Sequence, residues 1–290
     1  ANPRFACYSS DQQNVRLYKM ESAGTPPSVT TVAASATNTT TATANGNVTA
    51  QGSAAVTDRG VCYKTSAGVA ITDNKTQSGS GTGTFSVNLS SLSVNTKYYF
   101  KAYATNTAGT TLGSELSFTT LANTPSAPTV NNPTASSLDI TINENSNPAA
   151  TEFAIQRTSD SNYLQANGSW GASAVWQNKA TWGSPKTATG LSAATTYSIR
   201  VKARNGENVE TAFSSTADGT TCFDSVTGLY VNPTNEANFT LNWSAVSGAS
   251  GYLVDVSTSE TFSASSGGSG STSNIIISEL SEIKNNYATD

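Results

Sequence analysis

No histidine occurs in the 290 residues. That absence removes Ser-His-Asp and Cys-His nucleophilic machinery, the HExxH zinc site and imidazole acid–base chemistry together. Charge is scarce as well: acidic and basic residues make up 12% of the chain, about half the usual share. The 15 Lys and Arg are spread thinly and the net charge is −4, so no basic stripe exists to neutralise a phosphate backbone and nucleic acid is not an expected partner. No apolar run approaches the roughly 18 residues that span a bilayer, so membrane insertion is not expected either. The first residues, Ala1-Asn-Pro-Arg-Phe5, have neither an initiator Met nor a signal-peptide core and read as the start of a processed product or of a piece of something longer. Ser, Thr, Asn, Gly and Ala fill the space that charge leaves. Such a composition suits short antiparallel strands, because Thr favours an extended backbone and stays soluble uncharged.

Only three cysteines are present, Cys7, Cys62 and Cys222, and they cannot all pair with one another. Cys62 lies between Val61 and Tyr63 in an expected strand and reads as a small buried hydrophobe. A Cys7–Cys222 bridge stays open as a reading for an oxidising compartment. No metal site is expected from these residues, and no cofactor from the chain.

What the chain does have is a phrase used twice. Leu92-Ser-Val-Asn-Thr96-Lys-Tyr98-Tyr-Phe100-Lys-Ala102-Tyr-Ala104-Thr-Asn106 returns 99 residues later as Leu191-Ser-Ala-Ala-Thr195-Thr-Tyr197-Ser-Ile199-Arg-Val201-Lys-Ala203-Arg-Asn205. Repetition at this period argues for stacked domains and a scaffold. Alternating apolar positions after Tyr98 and Tyr197 predict all-β, immunoglobulin-like sandwiches in which each phenol forms a tyrosine corner.

Four segments follow. Residues 1–23 read as a hairpin, with strands Arg4–Tyr8 and Val15–Tyr18 around Ser9–Asn14, that closes a preceding domain. Residues 24–121 form a first domain of seven expected strands, from Ser28–Ala36 to Glu115–Thr120, with Ser78–Gly83 as a glycine-rich turn. Residues 122–221 form a second, whose strands around Leu138/Ile140/Ile142 and Phe153/Ile155 bury one face. Residues 222–290 begin a third with Phe239/Leu241/Trp243 and Tyr252/Val254/Val256. A strand at Asn274–Leu280 and Thr289-Asp290 prepare a further tyrosine corner that does not arrive, so this segment is expected to be disordered, paired with another chain or part of a longer polypeptide.

The Leu-x-x-x-Thr-x-Tyr-x-Phe-x-Ala pattern at 92–102, its copy at 191–201, and Trp243 followed by Ala249-x-Gly-Tyr252 resemble fibronectin type III domains over about residues 26–290. Asp58-Arg-Gly-Val-Cys62-Tyr with Ala102–Gly109 resembles the modules of large proteins exported by gliding and gut Gram-negative bacteria through the type IX route. Tyr163–Gly168, with Val175-Trp176 and Lys202–Asn205, is similar to a second bacterial subtype found in surface proteins and secreted hydrolases. These resemblances imply an extracellular or cell-surface location. The sorting domain expected at the end of such proteins is not visible here. The fold itself serves unrelated functions.

Among candidate sites, the stretch Tyr163 to Trp182 stands out, being longer than a plain sandwich loop. Aromatic platforms stack on sugar rings, so Tyr163, Trp170, Trp176 and Trp182 could form one; Tyr163 and Trp170 are the candidate ligand-binding residues. Trp176 and Trp182 resemble the packing tryptophans of the subtype and, with Tyr98, Tyr197 and Trp243, are assigned structural roles. The carboxylates Asp58, Asp73, Glu115, Asp139, Glu144, Glu152, Asp160 and Glu207 read as solvated surface charge, not as a catalytic pair of the glycosidase kind. Asp73-Asn74 and Asn143-Glu-Asn145 gather oxygen donors but lack the spacing of a calcium loop and read as Asx-rich turns. Asp224-Ser225-Val226 resembles a short O-glycosylation motif of the same bacterial group, which implies modification at Ser225. The expected function is non-catalytic: an extracellular spacer or display segment of a surface or secreted protein, such as an adhesin or filament component, whose partners are other domains of its polypeptide or a surface assembly. The alternatives are an accessory region of a secreted hydrolase, with a nuclease or glycosidase domain elsewhere, and glycan binding through the second domain.

Overall fold

The computed structural model describes residues 5–7, 16–18, 24–35, 37–235, 238–256 and 273–277. By contact the chain divides into two compact units, one of residues 1–123 with 146–151 and 204–211, the other of the remainder. Among the described residues the regular secondary structure is β-strand, apart from one four-residue helix.

The first unit opens with β1 (Phe5–Cys7) and β2 (Arg16–Tyr18), which pair as the expected hairpin with Phe5 opposite Tyr18; the turn Ser9–Asn14 lies outside the described residues. The sandwich follows as β3 (Ser28–Ser35), β4 (Ala42–Ala50), β5 (Asp58–Lys64), β6 (Asn74–Gln77), β7 (Gly83–Leu89), β8 (Lys97–Asn106), β9 (Gly109–Leu112) and β10 (Leu116–Thr119). One sheet runs β3-β4-β7, the other β10-β8-β5-β6 with β9 folded back on β8. Alternation puts Ala42, Ala44, Val48, Val87 and Leu89 of the first sheet against Val61, Phe100, Ala102, Ala104 and Phe118 of the second in a single core. The sandwich therefore has eight strands, one more than expected; β9 is the addition, a short return after Asn106 with no apolar alternation to announce it.

The second unit repeats the plan. Strands β11 (Ser126–Asn131), β12 (Leu138–Asn143) and β17 (Lys186–Ala188) form one sheet. The other contains β13 (Glu152–Arg157), β14 (Tyr163–Leu164), β15 (Trp170–Gly171), β16 (Gln177–Asn178), β18 (Thr196–Arg204) and β19 (Ala217–Thr220), in the order β15-β14-β13-β18-β19 with β16 also on β13. Leu138, Ile140, Ile142, Phe153, Ile155, Ile199 and Val201 are buried. Between β16 and β17 sits helix α1 (Lys179–Trp182), capped by the Asn178 side chain, which accepts from Thr181 N, and ended by Gly183 at φ 64°. Further on, β20 (Tyr230–Asn235) pairs with β21 (Asn238–Asn242), and β22 (Tyr252–Val256) with β23 (Ser273–Ile277). Ser278–Asp290 lie outside the described residues.

The repeated phrase is a repeated set of hydrogen bonds. Tyr98 Oη accepts from Ser93 N at 2.9 Å, and Tyr197 Oη from Ser192 N at 2.9 Å. Thr120 Oγ1 accepts from Thr96 N and donates to Ser93 O; Thr221 Oγ1 accepts from Thr195 N and donates to Ser192 O. Both corners need left-handed backbone, at Asn95 (φ 44°) and Ala194 (φ 49°). At the far end of the phrase, Asn106 Oδ1 accepts from Ala108 N and Gly109 N while its amide donates to Thr25 O and Gln51 O. Asn205 Oδ1 likewise accepts from Glu207 N and Val209 N, and its amide donates to Thr120 O. A three-stranded sheet facing a larger one through a shared core, closed by a tyrosine corner, is the fibronectin type III arrangement.

Candidate functional site

The stretch from Tyr163 to Trp182 does not build one aromatic platform. Directly opposed residues of an antiparallel pair share a face, and Leu164, fully buried, is opposite Trp170, whereas Tyr163 is opposite Gly171. Tyr163 and Trp170 are thereby sent to opposite sides of the sheet, which corrects the expectation that they act together. Trp182 goes to neither surface: it is 2% exposed and its Nε1 donates to Phe153 O at 3.0 Å.

Two separate clusters result. On the outer face, β18 turns Arg200 and Lys202 outward between the buried Ile199, Val201 and Ala203. Lys202 Nζ lies 5.4 Å from the ring centre of Tyr163, 5.3 Å from Trp176 and 5.1 Å from Phe213. Arg200 stacks on Phe213 at 4.0 Å and donates from Nε to Gln156 Oε1. On the inner side, Arg157 lies 4.7 Å from the ring of Trp170 and 5.5 Å from that of Tyr197, and pairs with Asp160. Trp170 Nε1 is buried with no acceptor among the described residues. In both clusters a cation lies within 5.5 Å of each ring centre. The arrangement is a cation–π ladder that stiffens the sheet.

The carboxylates lie at the surface, half-buried or exposed, and most hold a partner within the fold. Glu115 accepts from Gly68 N and Val69 N and pairs with Lys101 at 3.6 Å. These backbone donors, then the lysine, hold its carboxyl below the ordinary range. Asp73 is held low by Ala70 N and by Lys64 at 2.9 Å, Asp139 by Thr187 and Asn132, and Asp160, chiefly by Arg157, at about 2. Asp58 accepts from Tyr103 Oη at 3.1 Å, Glu144 pairs with Lys179, and Glu207 accepts from Thr119 Oγ1. Asn143 and Asn145 direct their amides to Ala127 O and Thr124 O. Among the described residues no three His, Cys, Asp or Glu side chains gather as metal ligands.

Four depressed carboxyls set the acid limit of the fold. Each stabilises fully above its unfolded pKa, near 4, and loses that contribution as pH falls through its lower folded value. With no histidine to titrate, the melting temperature is expected to stay level from pH 5.5 to 8 and to fall between about pH 4 and pH 2. Calorimetry across that range checks it, and a transition centred near pH 6 would contradict it.

Cys62 is buried, and burial pushes its thiol up to about 11, so it is inert at neutral pH. Cys222 is an exposed thiol whose Sγ donates to Pro133 O at 3.2 Å; the side chain of Cys7 lies outside the described residues. Ser225 is exposed, in a stretch where Phe223, Val226, Leu229 and Tyr230 are also exposed. Trp243 packs edge-on against Tyr252, ring centres 5.3 Å apart, and Tyr252 Oη accepts from Val246 N.

The first unit carries a feature that no motif announced. On the outer face of β3-β4-β7, register aligns three rows: Thr30–Asn47–Thr84, Val32–Asn45–Ser86 and Ser35–Thr43–Asn88. Side chains bond across the rows, Ser86 Oγ to Asn45 Oδ1 at 2.7 Å and Thr43 Oγ1 to Asn88 Oδ1 at 3.1 Å. None of the residues in these three strands is acidic or basic. The opposite sheet, by contrast, holds Asp58, Arg59, Lys64, Lys75, Lys97 and Lys101. Run lengths in the sequence carried the signal, since no charge falls between Glu21 and Asp58 or between Lys75 and Lys97.

No known protein family matches the chain, and no curated protein matches it. Among solved structures it is similar to the FN1-FN3 domains of chicken CNTN1, with 16% sequence identity and a TM-score of 0.32 over 89% of this chain and 86% of that one.

Proposed function

We propose that this chain is a non-catalytic spacer or display segment of a larger extracellular or surface protein, of the bacterial secreted kind its motifs resemble. The observation that carries this reading is the duplicated corner. Two sandwiches share one hydrogen-bond scheme, and the carboxylates and aromatics with partners described above are engaged in holding strands and turns. Such domains supply length and stiffness and carry other modules on their ends.

The test is direct. The purified chain is expected to hydrolyse none of a panel of polysaccharide, nucleic acid and peptide substrates and to be retained by none of the sugars on a glycan array. Placed between a cell-surface anchor and a reporter, it should raise reporter accessibility to antibody, and deleting one repeat should lower it. Turnover of any substrate, or accessibility indifferent to repeat number, would overturn the reading.

A further inference from the structure

We infer that the uncharged sheet of the first unit is a self-association face, on which the same sheet of a second copy docks. The occupant follows from charge. Each copy carries −4, so two copies repel wherever ionised faces meet; for a neutral ligand the absence of charge on a whole sheet face would make no difference. Here β3, β4 and β7 contribute no acid or base, and two such sheets can approach to about 10 Å without desolvating an ion.

The chemistry of the face is also self-complementary. Asn, Ser and Thr each donate and accept, so a two-fold arrangement lets a row meet its own copy without a mismatched pair. Val32, 43% exposed and opposite Asn45, supplies an apolar anchor at one border. Three strands of this length present roughly 400 Å², about half of what each partner of a standard interface buries, about 800 Å². The contact is therefore weak between free chains and gains strength where many copies are held side by side.

Sedimentation equilibrium of the whole chain, from micromolar to millimolar concentration, tests the inference. The average mass is expected to rise with concentration, and to rise more in high salt, which screens the net repulsion. Thr84→Lys should weaken association at least about tenfold although it lowers the net negative charge, because it buries an unpaired ammonium in the contact. Ser117→Lys, the same change on the opposite sheet, should leave association within about twofold. If Thr84→Lys melts early, Thr30→Lys, on the other edge of the face, replaces it. A constant monomer mass across the range, equal weakening by Ser117→Lys, or a monomer retained on a neutral polysaccharide matrix would overturn the inference.

Discussion

Trp182→Ala is expected to cost the second unit about 3–5 kcal/mol. The indole is 2% exposed and its Nε1 satisfies the buried carbonyl of Phe153, so truncation leaves both a large cavity and an orphaned acceptor. Rigid neighbours prevent collapse: α1 is pinned by the Asn178 cap on one side and by Gly183 on the other. Trp182→Phe, which keeps most of the volume and loses the donor, should cost only about 1–2 kcal/mol. The readout is selective, because all four tryptophans lie at position 170 or later. Intrinsic fluorescence therefore follows the second unit, while far-UV circular dichroism follows both. A shift of the fluorescence midpoint in urea worth less than 1 kcal/mol would show that the site collapses around the missing ring.

Gly60→Ala is expected to cost the first unit about 3 kcal/mol. A Cβ at this position would stand 2.1 Å from Thr76 O and 2.9 Å from Gln77 Cα, both backbone atoms, and 2.9 Å from the Tyr103 ring. Gly60 is in the middle of β5, opposite Gln77 on β6 and Tyr103 on β8, so neither neighbour can move without breaking a ladder. Gly68→Ala is the control. That glycine has φ +83° with open space around its missing Cβ, so only the left-handed conformation is penalised, by about 1–2 kcal/mol. Hydrogen exchange should show β5 and β6 losing protection in Gly60→Ala and keeping it in Gly68→Ala. Similar costs for the two variants would refute the steric account.

The sequence made some of this legible and hid the rest, for reasons of distance along the chain. Tyr98 and Tyr197 reach back only five residues, to Ser93 and Ser192, so the corner is written in one contiguous phrase. Glu115 and Asp139 find their partners 47 and 48 residues away, and alone each reads as an exposed charge. Tyr163 and Trp170 were grouped because they are close in sequence. Their strands are two residues long, too short for a period of two to reveal which side each takes, and only the register of Leu164 with Trp170 decides. Strand β9 goes unannounced because GTTL carries no apolar alternation. Packing of Trp182 was expected, whereas the short helix that delivers it rests on an Asn cap and a terminal Gly that a four-residue element hardly advertises.

The matched corners also say which positions a duplicated segment is free to change. Tyr and the two Thr of each copy commit their side chains to backbone partners, and the alternate residues of β8 and β18 are committed to the core. What remains is the outward set, and there the copies have parted: the three-stranded sheet is free of charge in the first and carries Asp139 and Lys186 in the second. An ancestral gene segment copied end to end would thus inherit its folding instructions intact while each descendant's skin drifted, and further copies could acquire new surfaces without relearning how to fold.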